Sequence, residues 1–476
     1  MPTETPRSAQ RGVIPILLVA AFVVILNETT MNVALTSIMA DLGITERTAQ
    51  WLTTAFMLTM AVVIPITGWL LDRLPTTRVF VLALSLFSLG TLACAVAPSF
   101  AFLVAGRVVQ ATGTAITLPL LMTTVMRLVA REHRGRVMGN VSMVISVAPA
   151  VGPTMSGLIL QLATWRAIFW VVLPIALLML VLGRRRLTDV GETRDKPLDL
   201  VSVPLTLLAF GPLVYGLSLV GSDEVAAWLP VLAIGIGAAG LVTFITRQVL
   251  LQRRDAALLD LRTFTYPTFT VAVVMMSIAM MALFGTVIML PLILQRAFGL
   301  EPLQVGLMLL PGGVAMGLLS PVVGRLYDRV GPRALVVPAS IVVMGVFAFF
   351  ATMSLDTPWW AVMAGHVVMS IGFASMFTPL FTVALGSLPP RLYSHGSAVV
   401  GTVQQLGGAT GTAIFITVFA LQSAAAAPAA ASEADALLAG ARWAFAAAGA
   451  IWTAAVIAGL FLRKPENADE PLPVAH

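Results

Sequence analysis

The sequence predicts an all-α polytopic membrane protein with fourteen transmembrane helices, built as two six-helix bundles with two further helices inserted between them. Three observations predict it. Of the 476 residues 58% are apolar and 11% charged, whereas soluble domains carry about a quarter charged residues. The apolar residues gather into windows of the roughly 20 positions needed to cross ~30 Å of hydrocarbon. Lys and Arg fall almost wholly in alternate gaps between those windows. The same composition excludes disorder, which requires a polar, highly charged chain, and argues against a soluble enzyme. A single cysteine, Cys94, excludes an intramolecular disulfide and a cysteine-based zinc site.

In chain order the windows place spans at 13–39, 49–71, 79–97, 101–126, 137–161 and 166–183, then 200–220 and 226–247, and finally 268–294, 303–324, 334–352, 358–386, 396–421 and 437–462. The first follows Arg7 and Arg11 as a signal peptide would, but its length and the lack of a small-residue cleavage site predict an uncleaved helix. The tails and the gaps closing each even-numbered span hold 23 of the 28 basic residues; the opposite gaps hold Arg47, Arg166, Arg296 and Arg442, and Arg107 lies inside a span. The positive-inside rule then puts both termini in the cytoplasm. Trp51, Trp165, Trp228, Trp359, Trp360 and Trp443 fall at the outer interface, as an aromatic belt requires. The net charge of +6 is therefore a topology signal, not a nucleic-acid surface.

The chain repeats itself. Gly68-x-Leu70-x-Asp72-Arg73 recurs as Gly324-x-Leu326-x-Asp328-Arg329 at an offset of 256, and Ala105-Gly106-Arg107-Val108-Val109 recurs as Ala364-Gly365-His366-Val367-Val368 at 259. Pro119 and Pro379 are 260 apart, Gly135 and Gly396 261 apart. Spans 1–6 and 9–14 are thus two copies of one unit. The expected division is an N-tail 1–12, a bundle 13–183, a basic linker 184–199, an inserted pair 200–247, a linker 248–267, a second bundle 268–462 and a C-tail 463–476. Parallel repeats of this kind enclose a substrate cavity at their interface near the membrane midplane; the alternative is a duplicated scaffold that moves nothing. The inserted pair carries no intramembrane charge and is expected to pack outside the twelve-helix core.

Several side chains point to chemistry. In each repeat a glycine permitting close helix approach precedes an aspartate at the membrane edge, so Gly68, Asp72 and Arg73, with Gly324, Asp328, Arg329 and Arg333, are candidates for a latch in which the carboxylate accepts from a helix N-terminus or pairs with an arginine. Glu28 is the one acid of 22 deep inside a span, a position that is costly without function. It is either a proton carrier or a neutral hydrogen-bonding group between helices. Asn32 lies one turn on, on the same face. Arg107, Gln110, Thr114 and Thr117 form a polar stripe on span 4, facing a cavity or tied to backbone carbonyls. His366 occupies the place of Arg107 in the second copy, as a titrating group or a wall residue. On span 5, Ala148, Gly152 and Ser156 recur every four residues, flanked by Pro153 and Gly157, a close-packing stripe with a kink. Gln404 on span 13, Met276, Met280 and Phe284 on span 9, and Phe377 on span 12 suit an adaptable pocket or a lipid-facing or core surface.

These residues resemble a known pattern. The two aspartate loops look like the Gly-x-Leu-x-Asp-Arg-x-Gly-Arg-Arg signature of the major facilitator superfamily; the second copy keeps Gly331 and Arg333, while the first has Pro75 and Thr76. Leu26 to Leu35 is similar to the first-helix signature of the fourteen-span drug:proton antiporters, whose commonest form has Asp where this chain has Asn27. Leu103, Arg107, Gln110 and Gly113 resemble the superfamily's span-4 motif, and Ala148, Gly152, Pro153, Ser156 and Gly157 resemble the antiporter motif Gly-x-x-x-Gly-Pro-x-x-Gly-Gly. The resemblance implies proton-driven export of amphipathic, drug-like molecules by alternating access from a bacterial inner membrane. In it Glu28 carries the proton, and Arg107 tunes Glu28 or competes with substrate for it. It implies small-molecule substrate, protons and lipids as partners, no cofactor, metal or nucleic acid, and a monomer. A dedicated exporter of one metabolite, amino acid or lipid precursor is the alternative within transport. A membrane sensor or scaffold is the alternative outside it, though the longest outer segment, 423–442, is Ala-rich and without a partner motif. The absence of a phosphate-binding loop argues against an ATP-driven pump.

Overall fold

The computed structural model describes residues 7–463 apart from 192, 195–196, 221–224 and 227; the side chains of residues 7–11, 32, 46 and 47 also lie outside the described set. Most of both expected tails and the Asn32 side chain therefore lie outside the described residues. The helices are α1 (Arg7–Leu42), α2 (Glu46–Arg73), α3 (Thr76–Ala95), α4 (Phe100–Leu128), α5 (Arg134–Leu162), α6 (Arg166–Arg186), α7 (Ser202–Leu219), α8 (Trp228–Gln252), α9 (Pro267–Arg296), α10 (Pro302–Val330), α11 (Arg333–Ala351), α12 (Trp359–Gly386), α13 (Tyr393–Ala426) and α14 (Glu433–Gly459). All fourteen carry an apolar stretch able to cross a membrane. Several overrun the apolar windows. The 36 residues of α1 extend about 54 Å at 1.5 Å per residue, well past ~30 Å of hydrocarbon, so its ends project from the bilayer.

Helix boundaries follow local chemistry. Ser99 caps α4 and Ser432 caps α14, each accepting from a backbone N–H of the first turn. Gly331 ends α10 at φ 80, a left-handed conformation that favours glycine. Its counterpart in the first repeat is Pro75, which cannot adopt it, and there the chain leaves α2 through an extended Leu74 at φ −110. The two repeats therefore turn their aspartate loops differently.

Packing sorts the helices into two bundles. In the first, α1 packs on α4, α5 and α6, α2 on α4, and α3 on α4 and α6; in the second, α9 packs on α12, α13 and α14, α10 on α12, and α11 on α12 and α14. The bundles meet through α5 with α10 and α2 with α13, flanked by α4 with α13 and α12 with α5. Because α5 corresponds to α13, α2 to α10 and α4 to α12, each interface maps onto the other, the relation expected of a parallel repeat. The inserted α7 and α8 pack on one another outside this twelve-helix core, and α7 lies along the α2–α13 seam, where Tyr215 stacks on Trp51 at 5.6 Å.

One belt tryptophan departs from expectation. Trp51, Trp228, Trp359, Trp360 and Trp443 are all well exposed, but Trp165 is 2% exposed. Its indole N–H donates to Asp41 at 3.0 Å, and the Arg166 guanidinium lies 4.2 Å over its ring. Hydrogen bonds from Arg166 and Trp165 hold the Asp41 carboxyl below the usual carboxylate range. A carboxylate at the end of α1 thus draws the indole inward from the lipid face.

Candidate functional site

The charged centre lies inside the first bundle. Arg107 on α4 is 1% exposed and donates through Nη1 to Gln110 Oε1 at 2.7 Å and to Asn27 Oδ1 at 3.3 Å. Its guanidinium stacks on Phe56 of α2 at 4.1 Å. Gln110 in turn donates to Thr91 on α3 at 2.7 Å. Thr114 and Thr117 are fully buried, and their hydroxyls donate to the carbonyls of Gln110 and Gly113 one turn back. The polar stripe of span 4 therefore faces neighbouring helices, not an open cavity.

Arg107 also differs from expectation in its partner. Asn27, not Glu28, takes the contact, and among the described residues no carboxylate comes within ion-pair distance of Arg107. The reason is angular: adjacent helical residues lie 100° apart, so directing Asn27 at α4 turns Glu28 away. Thr29, a further 100° on, meets Gly152 of α5, which leaves Glu28 between the α4-facing and α5-facing sides of α1. It is half-buried, hydrogen-bonds to none of the described residues, and interacts with Arg107 through space alone.

The small-residue stripe of span 5 seats against this part of α1. Ala148, Gly152 and Ser156 are buried, Ser156 Oγ donates to the Thr30 carbonyl at 2.9 Å, and a Cβ at Gly152 would collide with the Thr29 side chain. Pro153 faces outward, and Gly157 has open space around its Cα. In the second bundle, Met276 and Met280 are buried, and Phe377 is buried between Phe373 and Phe381 with ring centroids at 5.7 and 6.3 Å. His366 is buried against Gly312 and Ser370, with Nδ1 unpaired. Phe284, packed on Gly408, and Gln404 are half-buried, and Gln404, like Glu28, has no hydrogen bond to the described residues.

At the arginine-rich end the two bundles are closed against each other. The Asp328 carboxylate accepts from the backbone N–H groups of Gly135 at 2.8 Å and Arg136 at 2.9 Å, an anion seated on the N-terminus of α5. Close approach there requires glycine on both sides, since a Cβ on Gly324 would strike the Gly135 carbonyl. The first repeat is wired otherwise. Asp72 faces Arg127 of α4 at 3.7 Å and His395 Nε2 of α13 at 3.3 Å. Arg127 donates across the seam to Ser394 and Thr123 to Ser397, both at 3.0 Å. A Cβ on Gly68 would press His395 Nδ1 at 2.7 Å, so that glycine makes room for the ring. Arg73 is half-buried at this end, and Arg329 and Arg333 are exposed there. Sequence reasoning missed Arg127, His395, Ser394 and Asn27. Two of them had a signal: Asn27 stands where the first-helix signature commonly has Asp, and His395 immediately precedes the landmark Gly396, as Arg134 precedes Gly135.

A family profile described as "Major Facilitator Superfamily" matches residues 17–412. The chain is 39% identical over 408 residues to "Lincomycin resistance protein LmrB" of Listeria monocytogenes, covering 85% of this chain and 86% of that one. It is 37% identical to the protein of the same name in Bacillus subtilis, covering 88% of each. It is 29% identical to the "Multidrug resistance protein B homolog" of Mycobacterium tuberculosis, covering 88% of this chain and 80% of that one. Among solved structures, the human organic anion transporter MFSD10 aligns over 96% of this chain and all of its own with a TM-score of 0.66 at 15% identity. A bacterial homologue of the iron transporter ferroportin, in an outward-facing state, aligns over 93% of this chain and 98% of its own with a TM-score of 0.60 at 13% identity. At those identities the likeness is one of fold.

Proposed function

Because the chain belongs to the Major Facilitator Superfamily and is a membrane transporter, we propose that it exports amphipathic, drug-like small molecules in exchange for protons by alternating access. Relatives named for lincomycin and multidrug resistance that align over 85–88% of the chain support the substrate class, and lincomycin is the first candidate. Glu28 carries the coupling half of the reading. It is an acid inside a span, half-buried, without a hydrogen bond to the described residues, and within the field of a buried arginine. Such a carboxyl can bind and release a proton without first breaking a protein contact.

In this reading the arginine-rich end is cytoplasmic, as the loop charge bias requires, both termini lie inside a bacterial plasma membrane, and the closed seam holds the transporter open to the outside. Glu28 then takes a proton from the outer face, the bundles rock about the interface, and release inside frees the site for substrate. Arg107, held in place by Gln110, Asn27 and Phe56, sets the charge against which Glu28 loads. Gln404 and Phe284 are the first substrate contacts; His366, Met276, Met280 and Phe377 form the wall behind them, and the protein works as a monomer. The test is a substrate panel including lincomycin, measured in proteoliposomes under an imposed pH gradient. Uptake that ignores the gradient, or a Glu28→Gln variant that still accumulates substrate against its concentration, sinks the coupled reading.

A further inference from the structure

Arg107 is a buried cation with no anion in contact. It is 1% exposed, and Asn27 beside it is fully buried. Among the described residues no carboxylate lies within ion-pair distance of the guanidinium, and the groups that act on it through space are Glu28 and the Cys94 thiol. Its hydrogen bonds go to two neutral amides, Gln110 Oε1 at 2.7 Å and Asn27 Oδ1 at 3.3 Å. Taking a guanidinium out of water is costly unless an opposite charge sits against it, and amide oxygens supply only part of that compensation.

Donors are also left over at this place. Arg107 Nε and Asn27 Nδ2 are buried and have no hydrogen-bond partner. They belong to two groups already joined through Nη1 and Oδ1, so both lie in one small region between α1 and α4. The amide cannot turn over to remedy this: arginine only donates, so Oδ1 must face Nη1 and Nδ2 must point elsewhere. Gln110 is fixed in the same way, because its oxygen faces Arg107 while its Nε2 donates to Thr91 at 2.7 Å. Thr53 of α2, one turn before the Phe56 that stacks on Arg107, adds a hydroxyl without a partner. Buried donors nearly always find an acceptor, and exceptions point to a bound water or ion.

The occupant that suits these groups accepts hydrogen bonds, carries negative charge and has no hydrogen of its own. A water would bring two more donors to a place already rich in them and would leave the cation without a counter-ion. We propose that Arg107 and Asn27 hold a small monovalent anion, chloride, as the counter-ion of the guanidinium, with Nε–H and Nδ2–H as its donors. From α1 the site is faced by Glu28, from α2 by Phe56, from α3 by Cys94 and, through Gln110 of α4, Thr91. Glu28 is the one carboxylate among them, and it is half-buried, so the locus is reached from the Glu28 side of α1. Bound there, the anion offsets the charge that Glu28 faces, and halide concentration enters the coupling chemistry.

Chloride binding needs no transport, so it is measured on the purified full-length protein in nanodiscs. Radiolabelled chloride should bind saturably and be displaced by bromide but not by gluconate. In Asn27→Asp a carboxylate replaces the amide, still accepts from Nη1 and neutralises the guanidinium from within the chain, so chloride affinity should fall at least about tenfold. Arg107→Gln removes the cation and should have the same effect. Both variants keep every surface arginine, so general salt effects are equal in all three proteins. Wild-type protein without saturable chloride binding overturns the proposal, as does binding undiminished in either variant. If neither variant folds, bromide located by anomalous diffraction in the wild type decides: bromide against Arg107 Nε supports the anion site, and bromide found only elsewhere overturns it. Only the link to Glu28 rests on the proposed export cycle. Loss of proton coupling with chloride still bound would strike that cycle alone, and coupled transport in a chain that binds no chloride would strike the anion site alone.

Discussion

Replacing Asp328 with Asn should open the arginine-rich end. The carboxylate accepts two backbone N–H bonds from the first turn of α5 across the bundle seam, and each bond to a charged group is worth about 1.5–3 kcal/mol. Asparagine keeps one acceptor oxygen at the ordinary neutral value of about 1 kcal/mol and loses the attraction to the helix dipole. After discounting for the exposed Arg136 side of the contact, the loss is roughly 1.5–3 kcal/mol. At about 1.4 kcal/mol per tenfold change, the closed state gives up roughly ten- to a hundredfold in population ratio. Spin labels at Glu132 and Ala334, exposed positions on either side of the seam, report this by their distance distribution, in a background with the buried Cys94 replaced by Ala. Asp328→Asn should populate a second, longer distance. A distribution superimposable on that of the parent protein, with normal folding, refutes the assignment of Asp328 as a gate anchor.

Three further outcomes are expected. Glu28→Gln should abolish accumulation driven by a pH gradient while permitting downhill substrate exchange; with one proton per cycle, export of a monovalent cation should ignore membrane potential and export of a neutral compound should respond to it, a reversal-potential measurement. Arg107→Ala should leave Asn27 and Gln110 without their donor, costing about 1–3 kcal/mol of stability and uncoupling proton movement from substrate, as read with a pH-sensitive dye; Lys should rescue poorly, because an ammonium cannot donate to both amides while lying flat on Phe56. Asp199, bonded by two oxygens to Arg247 at 2.6 and 2.7 Å, has its carboxyl pushed down to about 2, first by the Arg247 hydrogen bond. A depressed carboxyl stabilises above its unfolded value near 4 and loses that contribution as pH falls through about 2, so thermal denaturation of the parent should lose an advantage over Asp199→Asn across that window.

The sequence carried the large-scale plan because it is written in periodicity and charge. Fourteen apolar windows, landmarks repeating at nearly constant spacing, and aspartates at the membrane edge all depend on composition along the chain. What it could not carry is which neighbour a helical face meets. The stripe from Arg107 to Thr117 was readable as one face, but whether that face meets a cavity or another helix depends on packing. The shift of the acid from position 27 to 28 was equally visible, yet its consequence, an amide facing Arg107 and an acid turned aside, required the rotation of α1 against α4. Trp165 looked like its fellow belt residues because the attraction of Asp41 acts across 124 residues of sequence. His395 had no signature beyond its place before the landmark Gly396, because its contacts with Asp72 and with the Asp260 amide lie far away in the chain.

The two aspartate latches differ in what mutation can reach. Asp328 accepts from peptide N–H groups of α5, donors that a substitution at Gly135 or Arg136 leaves in place unless the new residue is proline. Asp72 is met by the side chains of Arg127 and His395, each replaceable by a single substitution. The two donors at Asp328 are therefore harder to remove by substitution than the side-chain partners of Asp72. Among descendants of this chain, changes to the partners of the arginine-rich closure should accumulate around Asp72 sooner than among the backbone donors of Asp328, so that retuning of the closure arises mainly from one side of an otherwise duplicated molecule.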